Sequence, residues 1–342
     1  MMKQALEALI NEQRDLSEDE AAQVMATIMD GEATPAQFGA FVTALRLKGE
    51  TVAEIAGMAR EMRDRALPVV YPGSLIDTCG TGGDASGTFN VSTAAAFIAA
   101  AAGVQVAKHG NRAASSQCGS ADVLEALGAR IDLSPDQVAV CIAGTGIGFM
   151  LATAFHPAMR YAAAPRREVG FRTVFNILGP LTNPARAQGQ VLGVPRSDLG
   201  QTMARVLQRL GSSRALVVHG EDGLDELSIS GPSIIHELCG DNVSDYRIEP
   251  EDVGLERAPR SAVVGGDPVH NAALLRAVFD GREGPLLDFT LLNAAAALVV
   301  GAAVPSLRDG VTRARDLIAC GAATRTLDQF IEVSNSFPRL EE

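Results

Sequence analysis

From residue 75 onward, short apolar runs alternate with alanine-rich stretches of helical character, and this alternation constrains the fold more than any other feature of the chain. The runs at 75–78, 104–107, 148–152, 191–194 and 216–219 have the length and bounding turns of buried strands. Helix starts lie between them. Ser92 or Thr93 serves as N-cap before 94–102, Ser120 before 121–127 with Gly128 behind it, and Ser134 precedes Pro135. Strand and helix in alternation predict an α/β unit with a central, mostly parallel sheet flanked by helices. In such sheets ligands gather at the carboxyl ends of the strands, which is where this chain keeps its unusual loops.

Residues 1–65 read differently. Three capping boxes, Ser17 with Glu20, Thr34 with Gln37 behind Pro35, and Thr51 with Glu54, open short amphipathic helices, and Phe38, Phe41, Val42 and Leu45 recur at helical spacing. The expectation is a small helical unit over 1–70 and a large α/β unit over 71–342, divided at Leu67-Pro68 and Tyr71-Pro72-Gly73. A chain of 342 residues favours such a division, and its 47% hydrophobic content supports a substantial core.

Charge and cysteine usage narrow the function. A net charge of -12 argues against a surface built for nucleic acid or an anionic membrane, so any phosphate binding must be local. Five scattered cysteines without a C-x-x-C pair suggest neither a disulfide framework nor a zinc site, and fit a reducing cytoplasm. The longest apolar run, 291–305, is interrupted by Asn293 and too short to cross a bilayer.

Four segments carry chemistry. In the first, 77–93, glycines at 80, 82, 83 and 87 let the backbone turn its N–H groups toward an anion, with the positive end of a helix behind them. The loop lacks the Gly-Lys-Ser/Thr of a Walker loop and the dinucleotide glycine spacing. The same glycines would also serve a plain tight turn, but Asp84 beside an anion cradle calls for a metal ion or sugar hydroxyls, and Asn90, Ser92 and Thr93 add short polar groups. In the second, Lys108, His109, Gly110, Asn111 and Arg112 precede the polar run 115–120; two cations beside a glycine turn suit a pyrophosphate, while Arg112 could be solvated and His109 structural. The third, 220–226, places Asp225 and Glu226 at a strand end, where hard carboxylate oxygens suit magnesium if they are more than a solvated turn. The fourth joins His156-Pro-Ala-Met159 to Arg166, Arg167 and Arg172 and then to Gly179-Pro180 and Asn183-Pro184; an arginine here could clamp a carboxylate, and the proline pairs direct a loop.

With these segments together the chain resembles the anthranilate phosphoribosyltransferases of tryptophan biosynthesis. G-T-G-G-D at 80–84, N-V-S-T at 90–93, K-H-G-N-R at 108–112, G-S-A-D-V-L-E-A-L-G at 119–128, H-P-A-M at 156–159, F-N-I-L-G-P-L-T-N-P at 175–184 and D-G-L-D-E at 222–226 follow the family in order over nearly the whole chain. The resemblance implies that phosphoribosyl pyrophosphate is held by Gly80, Thr81, Gly82, Gly83, Asp84, Thr88, Asn90, Ser92, Thr93, Lys108 and Ser120. It implies two Mg²⁺ ions per subunit on Asp225 and Glu226 with Ser92 nearby, and an anthranilate path lined by Gly80, Asn111, His156 and Arg166. It also implies a helical domain joined by part of 160–190, and a homodimer formed through the helical domains, with 4–10 and 38–47 as contact segments. No acid, base or covalent nucleophile is expected. Phe149-Met-Leu-Ala152 departs from the family's usual Phe-Leu-Phe-Ala, which bears on the acceptor channel. A nucleoside phosphorylase would share the fold, but the His156 loop and Arg166 argue for the aromatic amine as acceptor, and the net charge argues against a nucleic-acid-binding relative.

Overall fold

The structure, a computed structural model, describes residues 1–84, 86–113 and 116–338. Four helices open it: α1 (Met2–Ile10), α2 (Glu18–Met29), α3 (Pro35–Lys48) and α4 (Val52–Asp64). Helices α2, α3 and α4 each start in the expected reciprocal capping box, which pairs two otherwise orphaned N–H groups per helix. Phe38, Phe41, Val42 and Leu45 are all buried against α1, α2 and α4. They belong to the interior of one chain, so of the segment 38–47 only residues such as Leu47, 83% exposed, remain free for a partner.

The remaining elements are β1 (Ile76–Gly80), α5 (Val91–Ala101), β2 (Val106–Gly110), α6 (Ser120–Ala126), α7 (Pro135–Thr145), β3 (Ile147–Leu151), α8 (Ala152–Phe155), α9 (Arg160–Val169), α10 (Phe175–Leu178) and β4 (Gly189–Gly193). They continue with α11 (Asp198–Arg209), β5 (Arg214–Gly220), β6 (Ser233–Cys239), β7 (Asn242–Ile248), α12 (Pro268–Phe279), α13 (Pro285–Val300), α14 (Leu307–Ala319) and α15 (Ala322–Ser336). The sheet runs β3-β2-β1-β4-β5-β6-β7. Its first five strands are parallel, as expected, and β6 and β7 add an antiparallel hairpin at one edge. That hairpin is missing from the sequence reading because β7 is an exposed edge strand whose polar residues give no apolar run.

Two helix starts differ from expectation. The N-cap of α5 is Asn90, which places Ser92 and Thr93 inside the first turn. The N-cap of α6 is Gly119, and Asp122 of its first turn accepts the N–H groups of both Gly119 and Ala113 at 2.8 Å. Both starts are set by contacts between loops, which local spacing does not encode.

Side chains alternate between two cores across the sheet. On β5, Leu216 and Val218 enter one core with α5, α7 and α13, whereas Ala215 and Val217 enter the other with α11 and α1 to α4. Ala162, Val174, Phe175, Leu178 and Leu181 also join the helical core. The buried Arg63 of α4 crosses between units, donating to the carbonyls of Leu181 at 2.6 Å and Leu210 at 3.1 Å. Burial pushes its guanidinium down to about 10.

A second buried charge holds the helices themselves. Glu54 is fully buried; Oε1 accepts the Leu16 N–H at 2.9 Å, and Oε2 accepts the Thr51 N–H at 2.8 Å and Lys48 Nζ at 3.1 Å. Glu54→Ala leaves the Leu16 and Thr51 N–H groups without their acceptor and removes one of three acceptors from the Lys48 ammonium, which keeps Asp15 and the Gly49 carbonyl, so it is expected to lower unfolding free energy by about 3 kcal/mol in urea denaturation. Glu54→Gln, which keeps one acceptor oxygen, is expected to cost roughly half as much.

Candidate active site

Between β1 and β4 the strand order reverses direction: the chain leaves β1 toward β2 and β3, then returns to the other side of β1 as β4. A crevice opens outside the carboxyl ends of strands at such a point. Loop 80–90 leaves β1 here, and a turn from β5 arrives over it with Asp225. The approach is close. A Cβ on Gly80 would lie 2.2 Å from Asp225 Oδ2, and one on Gly193 would lie 1.5 Å from the Asp225 carbonyl oxygen. Gly82 takes φ of 71° and donates its N–H to Asp225 Oδ2 at 2.7 Å, while the Thr81 N–H pairs with Gly193 O at 2.9 Å. Glycine at 80 and 193 is thus demanded by contact with the acidic turn, and at 82 by backbone conformation.

The electrostatics of this crevice are unfavourable as they stand. Burial, and then Asp84, push the Asp225 carboxyl up to about 7. Burial with Asp225 nearby raises Glu226 well above the usual carboxylate range. Asp84 Oδ2, Thr81 Oγ1 and Thr93 Oγ1 are buried without a hydrogen-bond partner among the described residues. An unpartnered carboxylate oxygen of Asp84 beside the Asp225 and Glu226 carboxyls fits a hard divalent cation, and three protein ligands leave the rest of its shell to phosphate and water. Asp225 and Glu226, with Ser92 at the α5 start, are the residues that could hold it. No group of three or more His, Cys, Asp or Glu residues among the described ones makes a metal cage by itself.

Lys108 comes from β2 and is buried under this crevice. Its Nζ donates to Thr78 O at 2.5 Å and lies 3.4 Å from Ser92 Oγ. Burial lowers its pKa, against which the nearby Asp77 works. Asp77 is the residue sequence reasoning missed. Its Oδ1 accepts the N–H groups of Thr78 at 2.8 Å and His109 at 3.2 Å, and its Oδ2 accepts Asn183 Nδ2 at 2.8 Å. A carboxylate inside an otherwise apolar strand was the available signal. Asn183, read as part of a directing loop, also donates to Ala107 O, so that loop is tied to two strands.

The other donor-side candidates lie around the loop. Asn90 donates to Cys118 O and accepts from Asn271 Nδ2, joining loops 87–90 and 116–120 to α12. Thr88 forms a lone β-bridge with Val264, and its hydroxyl lies 3.0 Å from that of Ser86. Ser120 Oγ reaches Asn111 O at 3.4 Å. Asn111 is exposed, its Oδ1 taken by the Arg112 N–H. Arg112 itself pairs with Glu125 and Asp122 on the surface, favouring its solvated reading.

Acceptor-side candidates share a mooring. His109 hydrogen-bonds the backbone of Gly179, His156 that of Thr182, and Arg166 Nη2 donates to Phe175 O at 3.4 Å with its guanidinium 5.4 Å from the Phe175 ring centre. Segment 175–182 therefore positions all three. The two imidazoles lie 5.1 Å apart, each with a buried Nε2 lacking a partner among the described residues. Burial depresses them to about 3 and about 4, so both are neutral at pH 7. Arg166 forms no ion pair among the described residues, whereas Arg172 donates to Gly83 O above the glycine loop.

Residues 3–66 match the family model described as glycosyl transferase family, helical bundle domain, and residues 72–324 that described as glycosyl transferase family, a/b domain. The anthranilate phosphoribosyltransferase of Chloroflexus aggregans is 57% identical over 335 residues, covering 97% of this chain and 98% of the relative. The chain belongs to the anthranilate phosphoribosyltransferase family. The Thermus thermophilus member of that family superposes with a TM-score of 0.92 at 48% identity, over 97% of this chain and 99% of that one. The Saccharomyces cerevisiae member, solved in complex with phosphoribosyl pyrophosphate and Mg, superposes with a TM-score of 0.90 at 27% identity over 98% of both chains.

The close approach generates a prediction. Gly193→Ala has no room without moving the Asp225 turn and is expected to cost about 3 kcal/mol of stability. Gly82→Ala meets open space and bears only left-handed strain, about 1–2 kcal/mol. Urea denaturation of the two variants side by side measures the difference.

Proposed function

We propose that this chain transfers the 5-phosphoribosyl group from phosphoribosyl pyrophosphate to anthranilate, giving N-(5-phosphoribosyl)anthranilate and pyrophosphate in tryptophan biosynthesis. The observation that carries the reading is the packing of an acidic turn directly onto a glycine-rich anion cradle, joined by the Gly82 to Asp225 hydrogen bond. Glycine-loop N–H groups and the α5 start bind the donor's phosphates, with Lys108 supplying positive charge beneath them. Magnesium bound at Asp225, Glu226 and Ser92 would neutralise the pyrophosphate as it leaves. The donor's C1–O bond breaks with its electron pair going to pyrophosphate, and the acceptor nitrogen bonds to C1 and gives up a proton.

Little acid or base chemistry is required of the protein, because an aromatic amine is neutral and nucleophilic at pH 7. Its task is orientation. Arg166, anchored on Phe175 and without an ion-pair partner among the described residues, takes the acceptor's carboxylate, and His156 and Asn111 line the path. The yeast relative has also been solved in complex with 4-fluoroanthranilate, at a TM-score of 0.89 and 26% identity. A helical unit over 1–70 joined by part of 160–190, an α/β unit over 71–342, two magnesium ions per subunit, a cytoplasmic location and a homodimer paired through the helical units complete the proposal. Ile10 and Leu47, 53% and 83% exposed, are its candidate contacts. Light scattering at micromolar concentration is expected to give the mass of two chains; a monomer would refute the pairing.

Loss of anthranilate fluorescence on adding donor and Mg²⁺ tests the activity, and phosphorolysis of nucleosides without such loss would overturn it. Asp225→Asn with Glu226→Gln is expected to abolish turnover at millimolar magnesium while circular dichroism stays unchanged. Arg166→Ala is expected to raise the acceptor KM about 10- to 100-fold, the loss of a charged contact of about 1.4–2.7 kcal/mol, and to leave the donor KM within about twofold. Equal weakening toward both substrates would assign Arg166 to domain placement instead.

A further inference from the structure

Helix α13 is buried on every side from Phe289 to Val300, yet it carries an asparagine at its centre. An amide in such a place is costly unless every donor and acceptor is matched. Asn293 meets that demand through one partner outside its helix. Its Oδ1 accepts the Leu227 N–H at 3.0 Å, and its Nδ2 donates to the Leu227 carbonyl at 3.0 Å and to Phe289 O at 2.9 Å. Both backbone groups of Leu227 are therefore held by one side chain, a two-point grip that fixes direction as well as position.

Leu227 directly follows Asp225 and Glu226. On the far side the same turn is pressed against Gly80 and Gly193, which leave no space for displacement inward. Leu224 and Leu227, both fully buried, hold the turn through packing that is indifferent to direction. Asn293 supplies the directional restraint.

We propose that Asn293 is a positioning residue for the metal turn, setting the backbone of 225–227 so that two carboxylates face the donor's pyrophosphate with their separation already fixed. The inference rests on the reading that Asp225 and Glu226 are the magnesium ligands. Partners that orient metal ligands without touching the metal contribute about 10- to 100-fold to affinity.

Manganese binding followed by electron paramagnetic resonance, in the presence of phosphoribosyl pyrophosphate, provides a readout independent of turnover. Asn293→Leu and Asn293→Ala are expected to weaken Mn²⁺ binding about tenfold and to raise the magnesium needed for half-maximal rate by a similar factor, with kcat restored by excess magnesium and the anthranilate KM unchanged. Ala295→Gly loosens the same buried helix without touching Leu227 and serves as the control for general destabilisation. Wild-type Mn²⁺ affinity in both Asn293 variants, with binding lost in Asp225→Asn/Glu226→Gln, would overturn the inference while leaving the ligand reading intact. Equal weakening by Ala295→Gly would reduce Asn293 to a packing role and also overturn it. Retained Mn²⁺ binding in the double carboxylate variant would instead remove the ligand reading on which the inference stands.

Discussion

The contact of the Asp225 turn with Gly80, Gly82 and Gly193 is the constraint around which the crevice is organised. It brings β5's loop over the ends of β1 and β4, and it does so at distances that exclude any Cβ at two of the three glycines. Loop 80–90 can be an anion cradle because its backbone is laid against this turn, and the turn can gather carboxylates because the cradle's N–H at Gly82 meets one of them. Moving either partner would disturb both the glycine loop and the acidic turn.

Buried charge is used throughout as a means of alignment. Asp77, Lys108, Glu54 and Arg63 are each largely removed from water and each grips backbone groups on separate elements. Such groups destabilise a fold unless fully paired, and once paired they admit few alternative arrangements. Asp77 links β1 to β2 and to loop 183; Arg63 links α4 to Leu181 and α11. The polypeptide between the glycine loop and the His156 loop is thereby registered to the sheet, and segment 175–182, held at one end by Arg63 and near the other by Arg166, carries the neighbours of His109 and His156.

The helical unit shares a core with one face of the sheet through α11, β4 and β5, and part of the chain between α9 and β4 returns to it. Phe175, whose carbonyl accepts from the Arg166 guanidinium, lies on that returning stretch. Any change in how helices and sheet pack would therefore move Arg166 relative to the donor loop.

Local chemistry was legible in the sequence. Ser17, Thr34, Thr51 and Ser134 announced their helices because a capping box acts over three residues, and the apolar runs announced the five parallel strands because burial on both faces keeps most of their positions apolar. Glycine loop, acidic turn and histidine loop were legible as segments because each needs particular residue types in close succession. Their meeting was not. Asn90 and Gly119 became helix caps, Asp77 and Asn183 became cross-strand ties, and Asn293, which in sequence merely breaks an apolar run, became the support of Leu227. The ties of Asn271 to Asn90, Asn183 to Asp77 and Leu227 to Asn293 span 181, 106 and 66 residues. Sequence determines what each residue can donate, accept or bury; only the strand order, which sets β4 beside β1, decides which of those capacities face one another.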